Sequence, residues 1–376
     1  MNEYGVFGSL MGFLSLLLVL SQGIRYCAIN YVAMMNEQTR AQFIKGFTKR
    51  VTGFALAIFL GIMLLSPWIL DFLQISDPYL LVFMAATAVL ELIGAIFLGM
   101  MGGLQKFTML GVISIAASIF KLIFGLGLVL MGFGVVGALG AVTAASLIML
   151  IIMLIMFYPR GSNGKYEDGY HEVVRYFLTS FLVAVIFAAP GNADIVIVKN
   201  MFTDVDAGLY TAISVLGKIL IFLPTGIAGA MFPKVAAMSK GSKEPLKILK
   251  KTLQFSISIT VAGAATFIVL PNFILNLVYG SEFDQGAYLL PWYGLMVVFF
   301  SISLIIANFS LARKQFLFVR VFTILTLLEF TMVYLFSTSL LVLIQIMLVM
   351  NVITAIVGIL IANGEDVKTR LKRYSD

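Results

Sequence analysis

Eleven runs of mostly apolar residues follow one another along this chain. Each approaches the ~20 residues that a helix needs to cross the hydrocarbon core of a bilayer. These spans, lettered A to K, cover about residues 5–24, 51–72, 79–101, 107–131, 134–157, 174–198, 207–231, 252–278, 287–311, 316–336 and 339–362. Composition agrees, with 61% of the 376 residues hydrophobic and 11% charged, where an ordinary soluble domain carries ~25% charged residues. A soluble fold of this size cannot hide so much apolar surface. That excludes a soluble enzyme, a disordered tail and a nucleic-acid-binding domain, and predicts an all-α polytopic membrane protein. The lead-in Met1-Asn2-Glu3-Tyr4 is acidic where a signal peptide is basic, so span A reads as a membrane span.

The charges give the spans a direction. With the C-terminus in the cytoplasm, loops A–B, C–D, E–F, G–H and I–J lie there too. These loops, their helix ends and the tail hold all of the 25 Lys and Arg residues except Lys121, Lys199 and Lys218. The opposite turns carry Asp71, Asp77, Asp204, Asp206, Glu282 and Asp284. This is the positive-inside pattern of a protein in the cytoplasmic membrane, and with an odd number of spans it puts the N-terminus outside.

Chemistry-bearing motifs are sparse. One cysteine, Cys27, and one histidine, His171, provide neither an intrachain disulfide nor a Cys/His metal centre. P-loop, nucleophile-elbow and His-Glu-x-x-His patterns are missing, so no catalytic residue, cofactor or metal is expected. Gly132, Gly134, Gly137 and Gly140 open an apolar span, where small residues serve close helix contact.

The chain also repeats at an offset of about 203 residues. Tyr4-Gly5-Val6-Phe7 aligns with Ala207-Gly208-Leu209-Tyr210, Gly23-Ile24 with Gly226-Ile227, and Val32-Ala33 with Val235-Ala236. A basic segment follows in each half: Arg40, Lys45, Lys49 and Arg50, then Lys243, Lys247, Lys250 and Lys251. Spans A–E match G–K, and F has no counterpart. A parallel repeat implies two similar bundles related by an axis along the membrane normal. The expected domains are an N-terminal bundle over 1–160, a cytoplasmic linker over 161–173, a C-terminal bundle over 174–362 and a basic cytoplasmic tail over 363–376. Pro245 suits the first turn of a helix whose lysines share one face. Such a helix lies in the headgroup layer against anionic lipid, as an orientation anchor or as a docking surface for a lipid-linked substrate.

Spans F and G carry a family resemblance. Ala193-Asp194-Ile195-Val196-Ile197-Val198, Asp206-Ala207-Gly208-Leu209-Tyr210-Thr211-Ala212, Pro224 and Met231-Phe232-Pro233-Lys234 resemble the polysaccharide-biosynthesis branch of the multidrug/oligosaccharidyl-lipid/polysaccharide exporter superfamily. Glu3-Tyr4-Gly5-Val6-Phe7 resembles that family's sequence just before its second helix, so the family's first helix has no match here. The resemblance implies a MATE-like two-bundle architecture, here with five plus six helices, around a cavity that opens to alternate sides. It implies turnover of a lipid-linked sugar, of polyprenyl phosphate type, from the inner to the outer leaflet. Glycan polymerases or glycosyltransferases are possible associates, and nucleic acid is not one. Two other readings stay open: a multidrug or small-solute exporter of the same fold, and a non-transporting subunit of a glycan-assembly system.

Ionisable residues inside spans are functional candidates, because each costs ~3 kcal/mol or more near the bilayer centre unless paired or wetted. Glu91 and Lys121 stand at matching depths, ~18 Å and ~15 Å below the same membrane face at 1.5 Å per residue. They are expected to pair, either to neutralise each other or to couple transport to protons. Lys218, near mid-membrane, is the foremost candidate for a substrate phosphate; Asp194, nearer the outer end, either orients it or caps helix packing beside Pro190-Gly191-Asn192. Arg25 and Arg175 lie at the inner mouth, as anchors or as first contacts for an anionic headgroup. Glu329 has no assigned role.

Overall fold

The computed structural model describes residues 2–159, 170–188, 190–236, 238, 244–313 and 315–375. Its elements are helical: α1 (Asn2–Leu17), α2 (Val19–Met34), α3 (Glu37–Leu64), α4 (Ser66–Phe72), α5 (Pro78–Gly103), α6 (Phe107–Leu128), α7 (Gly134–Phe157), α8 (Tyr170–Ala188), α9 (Pro190–Met201), α10 (Asp204–Ala236), α11 (Glu244–Val269), α12 (Pro271–Tyr279), α13 (Leu290–Ala312), α14 (Phe316–Phe336) and α15 (Leu340–Ser375). Helix is the physical answer to this composition, because in hydrocarbon each backbone polar group must be satisfied within its own segment. Helix starts are marked by local chemistry. Asn36 Oδ1 accepts from Thr39 N at 3.0 Å to cap α3, and Asp77 Oδ1 accepts from Tyr79 N at 2.9 Å just ahead of α5, with Pro78 in its first turn.

Nine stretches among the described residues are long and apolar enough to cross a membrane. One of them, Phe107–Phe157, contains both α6 and α7, which pack against each other. Gly132 (φ 90°) and Gly134 (φ 49°) turn the chain between them, a conformation open to glycine and costly for other residues. The helices α8 and α9, which together correspond to span F, are not among the nine. The protein is therefore a multi-pass membrane protein, and the eleven-span count fits it only roughly.

Several boundaries differ from the sequence pattern. Span A continues to Met34 through a one-residue break at Leu18. The basic segments are not separate interfacial helices. Arg40, Lys45, Lys49 and Arg50 lie in the first half of α3, and Lys247, Lys250 and Lys251 in the first turns of α11, each continuous with the span that follows. Lys243, residue 160 and the 161–169 part of the linker fall outside the described residues. The tail is the end of α15.

The chain divides into two compact units, Asn2–Ala207 and Gly208–Asp376. The boundary therefore follows span F, where the sequence pattern put it before. The reason is local: α8 packs on α2 and α9 on α1. Gly23 leaves room for the ring of Phe177 and the Cβ of Phe181, which stand 3.0–3.2 Å from where its own Cβ would be, and Gly12 does the same for Val196 and Ile195 at 3.3 and 3.4 Å. Within the units the repeat appears as matched helix pairs. α3·α5, α5·α7 and α6·α7 pack in the first, and their counterparts α11·α13, α13·α15 and α14·α15 in the second.

The closest backbone approach in the first unit is α2 on α5. A Cβ on Gly99 would stand 2.5 Å from Arg25 O and 2.6 Å from Ala28 Cβ, and one on Gly103 2.7 Å from Ile29 O. This is the small-xxx-small spacing by which membrane helices come together. Gly99→Ala is expected to lower stability by ~1–3 kcal/mol through overpacking, and Gly53→Ala, at an open position, to leave it unchanged. Thermal unfolding of both variants in detergent checks this.

Candidate functional site

The first unit contains a charged group in the middle of its helices. Lys121 Nζ on α6 lies 3.1 Å from Glu91 Oε1 on α5, and Ser146 Oγ on α7 donates to the same oxygen at 2.8 Å. Glu91 and Lys121, expected to pair from their matching depths, are thus brought together. Ser146 was not singled out beforehand; its only signal was a hydroxyl in an otherwise apolar run. The three groups border a cavity of ≈ 220 Å³ that is also lined by Ser114, Ser118, Met149 and Met153. The side chains of Lys121 and Glu91 keep 37% and 28% of their surface exposed, so the pair is not sealed inside the helix bundle. Next to it, Thr87 and Thr143 hydroxyls meet at 2.8 Å and tie α5 to α7.

The second unit holds Lys218 on α10. The turn before it is fixed tightly. Tyr293 Cε1 stands 2.1 Å from where a Cβ on Gly217 would be, and Ser214 Oγ and Tyr293 OH share a hydrogen bond of 3.0 Å. Tyr210, in T-shaped contact with Tyr293, donates to Met347 Sδ at 3.4 Å. Lys218 itself is half-buried, and among the described residues it makes no hydrogen bond or ion pair. A half-buried cation on a membrane-crossing helix, without an ion pair among the described residues, is an arrangement that suits an incoming anion.

The remaining candidates are distributed. Asp194 is buried on α9, Arg25 half-buried on α2 and Arg175 exposed on α8, all in the first unit. Lys199, which the charge pattern left as a lone outer lysine, is instead fully buried, with its Nζ bonded to Asp204 Oδ1. The neighbouring Asn200 Nδ2 donates to Phe72 O at 2.8 Å, and Gln74 Nε2 returns a bond to Asn200 O at 3.2 Å. Lys199 is therefore structural; its partner lies five residues on, and its full burial is what the fold reveals. Glu329, left without a role, is buried on α14, where Asn351 Nδ2 donates to both carboxylate oxygens at 3.2 and 3.3 Å. No group of three or more His, Cys, Asp or Glu side chains able to hold a metal occurs among the described residues.

Removing one partner of a half-buried pair strands the other. Lys121→Met is expected to cost ~1–3 kcal/mol of stability, and the double variant Glu91→Gln/Lys121→Met to regain at least part of that loss. Lys199→Ala is expected to cost a similar ~1–3 kcal/mol, and Lys218→Ala less than ~0.5 kcal/mol. Melting curves in detergent separate these cases.

Comparison with known proteins gives the setting. A family model described as polysaccharide biosynthesis protein matches residues 1–287. No curated protein sequence matches significantly. Among solved structures, an inward-facing multidrug resistance MATE family transporter of the MOP superfamily is 13% identical, with 98% of this chain and 94% of that chain covered and a TM-score of 0.78. The lipid II flippase MurJ in an inward closed conformation is 16% identical, with 96% of this chain and 80% of that chain covered and a TM-score of 0.78. A MOP superfamily transporter from Pyrococcus furiosus is 14% identical over 98% of this chain and 88% of its own, with a TM-score of 0.66. At these identities the likeness is one of fold, and these relatives in fold are transporters and a flippase.

Proposed function

The chain belongs to the polysaccharide biosynthesis protein family, and from that premise we propose that it turns a lipid-linked oligosaccharide or polysaccharide precursor across the cytoplasmic membrane by alternating access. The observation that carries the reading is Lys218, half-buried on a membrane-crossing helix and without a bonded partner among the described residues. A sugar-phosphate headgroup cannot pass ~30 Å of hydrocarbon unaided. A cation at this depth offsets the phosphate's desolvation while the polyprenyl tail stays in lipid. Arg25 and Arg175 receive the headgroup on the cytoplasmic side, Asp194 orients the basic groups, and the C-terminus is cytoplasmic. The protein makes and breaks no covalent bond in this process. Anionic lipids hold Lys247, Lys250 and Lys251, which are exposed at the start of α11, and glycan polymerases or glycosyltransferases supply and consume the substrate. A multidrug exporter of the same fold is the second reading, because the MATE and MurJ structures match equally well at a TM-score of 0.78.

Reconstitution in liposomes with a fluorescent lipid-linked sugar tests the proposal. Wild-type protein is expected to move the label to the far leaflet faster than empty liposomes do. Lys218→Ala is expected to slow this at least about tenfold, equivalent to the ~1.4 kcal/mol of one phosphate contact, whereas Lys106→Ala, on an exposed loop, leaves it unchanged. A rate equal to that of empty liposomes overturns the reading, and equal rates for the two variants remove Lys218 from the substrate path.

A further inference from the structure

The Glu91–Lys121 pair lies deeper than half-exposed charges can lie without company. Glu91 stands at the middle of the 26-residue α5, Ser146 at the middle of the 24-residue α7, and Lys121 one turn past the middle of the 22-residue α6. Three helices of span length put their centres at the bilayer centre. There the cavity of ≈ 220 Å³ has a mixed lining: Glu91, Lys121, Ser114, Ser118 and Ser146 together with apolar side chains, including Ile113 and Met149. Glu91 and Lys121 are its ionisable lining groups. Ser114 and Ser118 also line a shallow groove of ≈ 340 Å³ on the exposed face of α6, together with Ile115, Ile119 and Leu122. A polar recess and an apolar track thus meet at two shared serines.

The hydrogen bonds define what can enter. Ser114 Oγ donates to Leu110 O at 2.9 Å and Ser118 Oγ to Ser114 O at 3.0 Å, so both hydroxyl protons are committed and their lone pairs remain as acceptors. Glu91 Oε1 receives both Lys121 and Ser146, while Oε2 receives no hydrogen bond from the described residues. The recess therefore offers spare acceptors beside one ammonium. The pair is neutral as a unit, so a ligand bringing a formal charge would leave that charge uncompensated at the most costly depth in the membrane. A hydroxyl brings none. It donates to Glu91 Oε2 and accepts from Lys121, and these two bonds replace the ones it gives up on leaving water. The volume corresponds to about seven waters, room for a hydroxyl and the first carbons of a single chain, and the groove continues from it over residues of α6 alone.

We propose that the cavity between α5, α6 and α7 binds a single-chain lipid alcohol, with its hydroxyl on Glu91 and Lys121 and its hydrocarbon along Ile115, Ile119 and Leu122. The site is separate from Lys218 and does not depend on the substrate reading. It equips the first unit to sense a neutral long-chain alcohol dissolved in the membrane.

Photolabelling of the full chain in nanodiscs tests this, using a long-chain alcohol with a diazirine beside its hydroxyl and peptide mapping by mass spectrometry. Label is expected to concentrate on residues 114–122 and 146–153. An unlabelled isoprenoid alcohol or straight-chain alcohol is expected to compete it away, and an alkyl phosphate of the same length is not. Ser118→Trp, which fills the recess, is expected to lower labelling there at least about fivefold, a change of ~1 kcal/mol, and to leave labelling of the exposed face of α14 unaltered. Ser118→Ala keeps the space and is expected to keep the label. If Ser118→Trp does not fold, Ser114→Phe serves the same purpose. Label spread evenly over the exposed helices, label unaffected by the filling variant, or equal competition by the alkyl phosphate overturns the proposal.

Discussion

Hydrocarbon gives a protein no water with which to hydrogen-bond, and that single condition shapes this chain. It makes every long element a helix. It also requires each polar side chain within a span to find a partner, a wetted cavity or a ligand. The Ser and Thr hydroxyls show the smallest version of the solution. Thr260 bonds back to Ser256 O at 2.8 Å and Thr354 to Met350 O at 2.7 Å, each closing its own hydrogen bond one turn away. Charged groups reach further and tie helices together, Glu91 with Lys121 and Ser146 and Glu329 with Asn351, while Lys199 finds Asp204 five residues on, across the turn from α9 to α10.

Without a hydrophobic drive between helices in lipid, contact depends on closeness and shape. Glycines supply the closeness. Gly99 and Gly103 admit the α2 backbone to α5, Gly217 admits the Tyr293 ring to α10, and Gly23 admits Phe177 and Phe181 to α2. The last of these lies in the packing of α8 on α2, which together with α9 on α1 joins span F to the first unit. The matched helix pairs of the two units show that the internal repeat is a repeat of packing: equivalent helices meet equivalent partners.

The polar inventory also separates candidate roles. Lys199 and Glu329 are buried and bonded, so they belong to the structure. Glu91 and Lys121 are paired yet exposed to a cavity, so they hold helices together and remain available to a ligand. Lys218, half-buried on a helix anchored by Gly217 and Ser214, belongs to neither class. A lysine already neutralised by a carboxylate could not serve the phosphate contact proposed for Lys218.

Span length, apolarity and the positions of Lys and Arg are properties read locally, so the helical membrane class and the approximate span positions follow from the sequence alone. So does the meeting of Glu91 and Lys121, since rise per residue converts their positions into depth on adjacent helices. Tertiary structure decided the rest. Burial of Lys199, the third member Ser146, the membership of α8 and α9, and the continuity of the basic segments with α3 and α11 all depend on which helix faces which. In a chain apolar on every side, hydrophobic periodicity does not encode that choice. It is made by glycine gaps and polar contacts between residues far apart in sequence, and these exist only once the helices have come together.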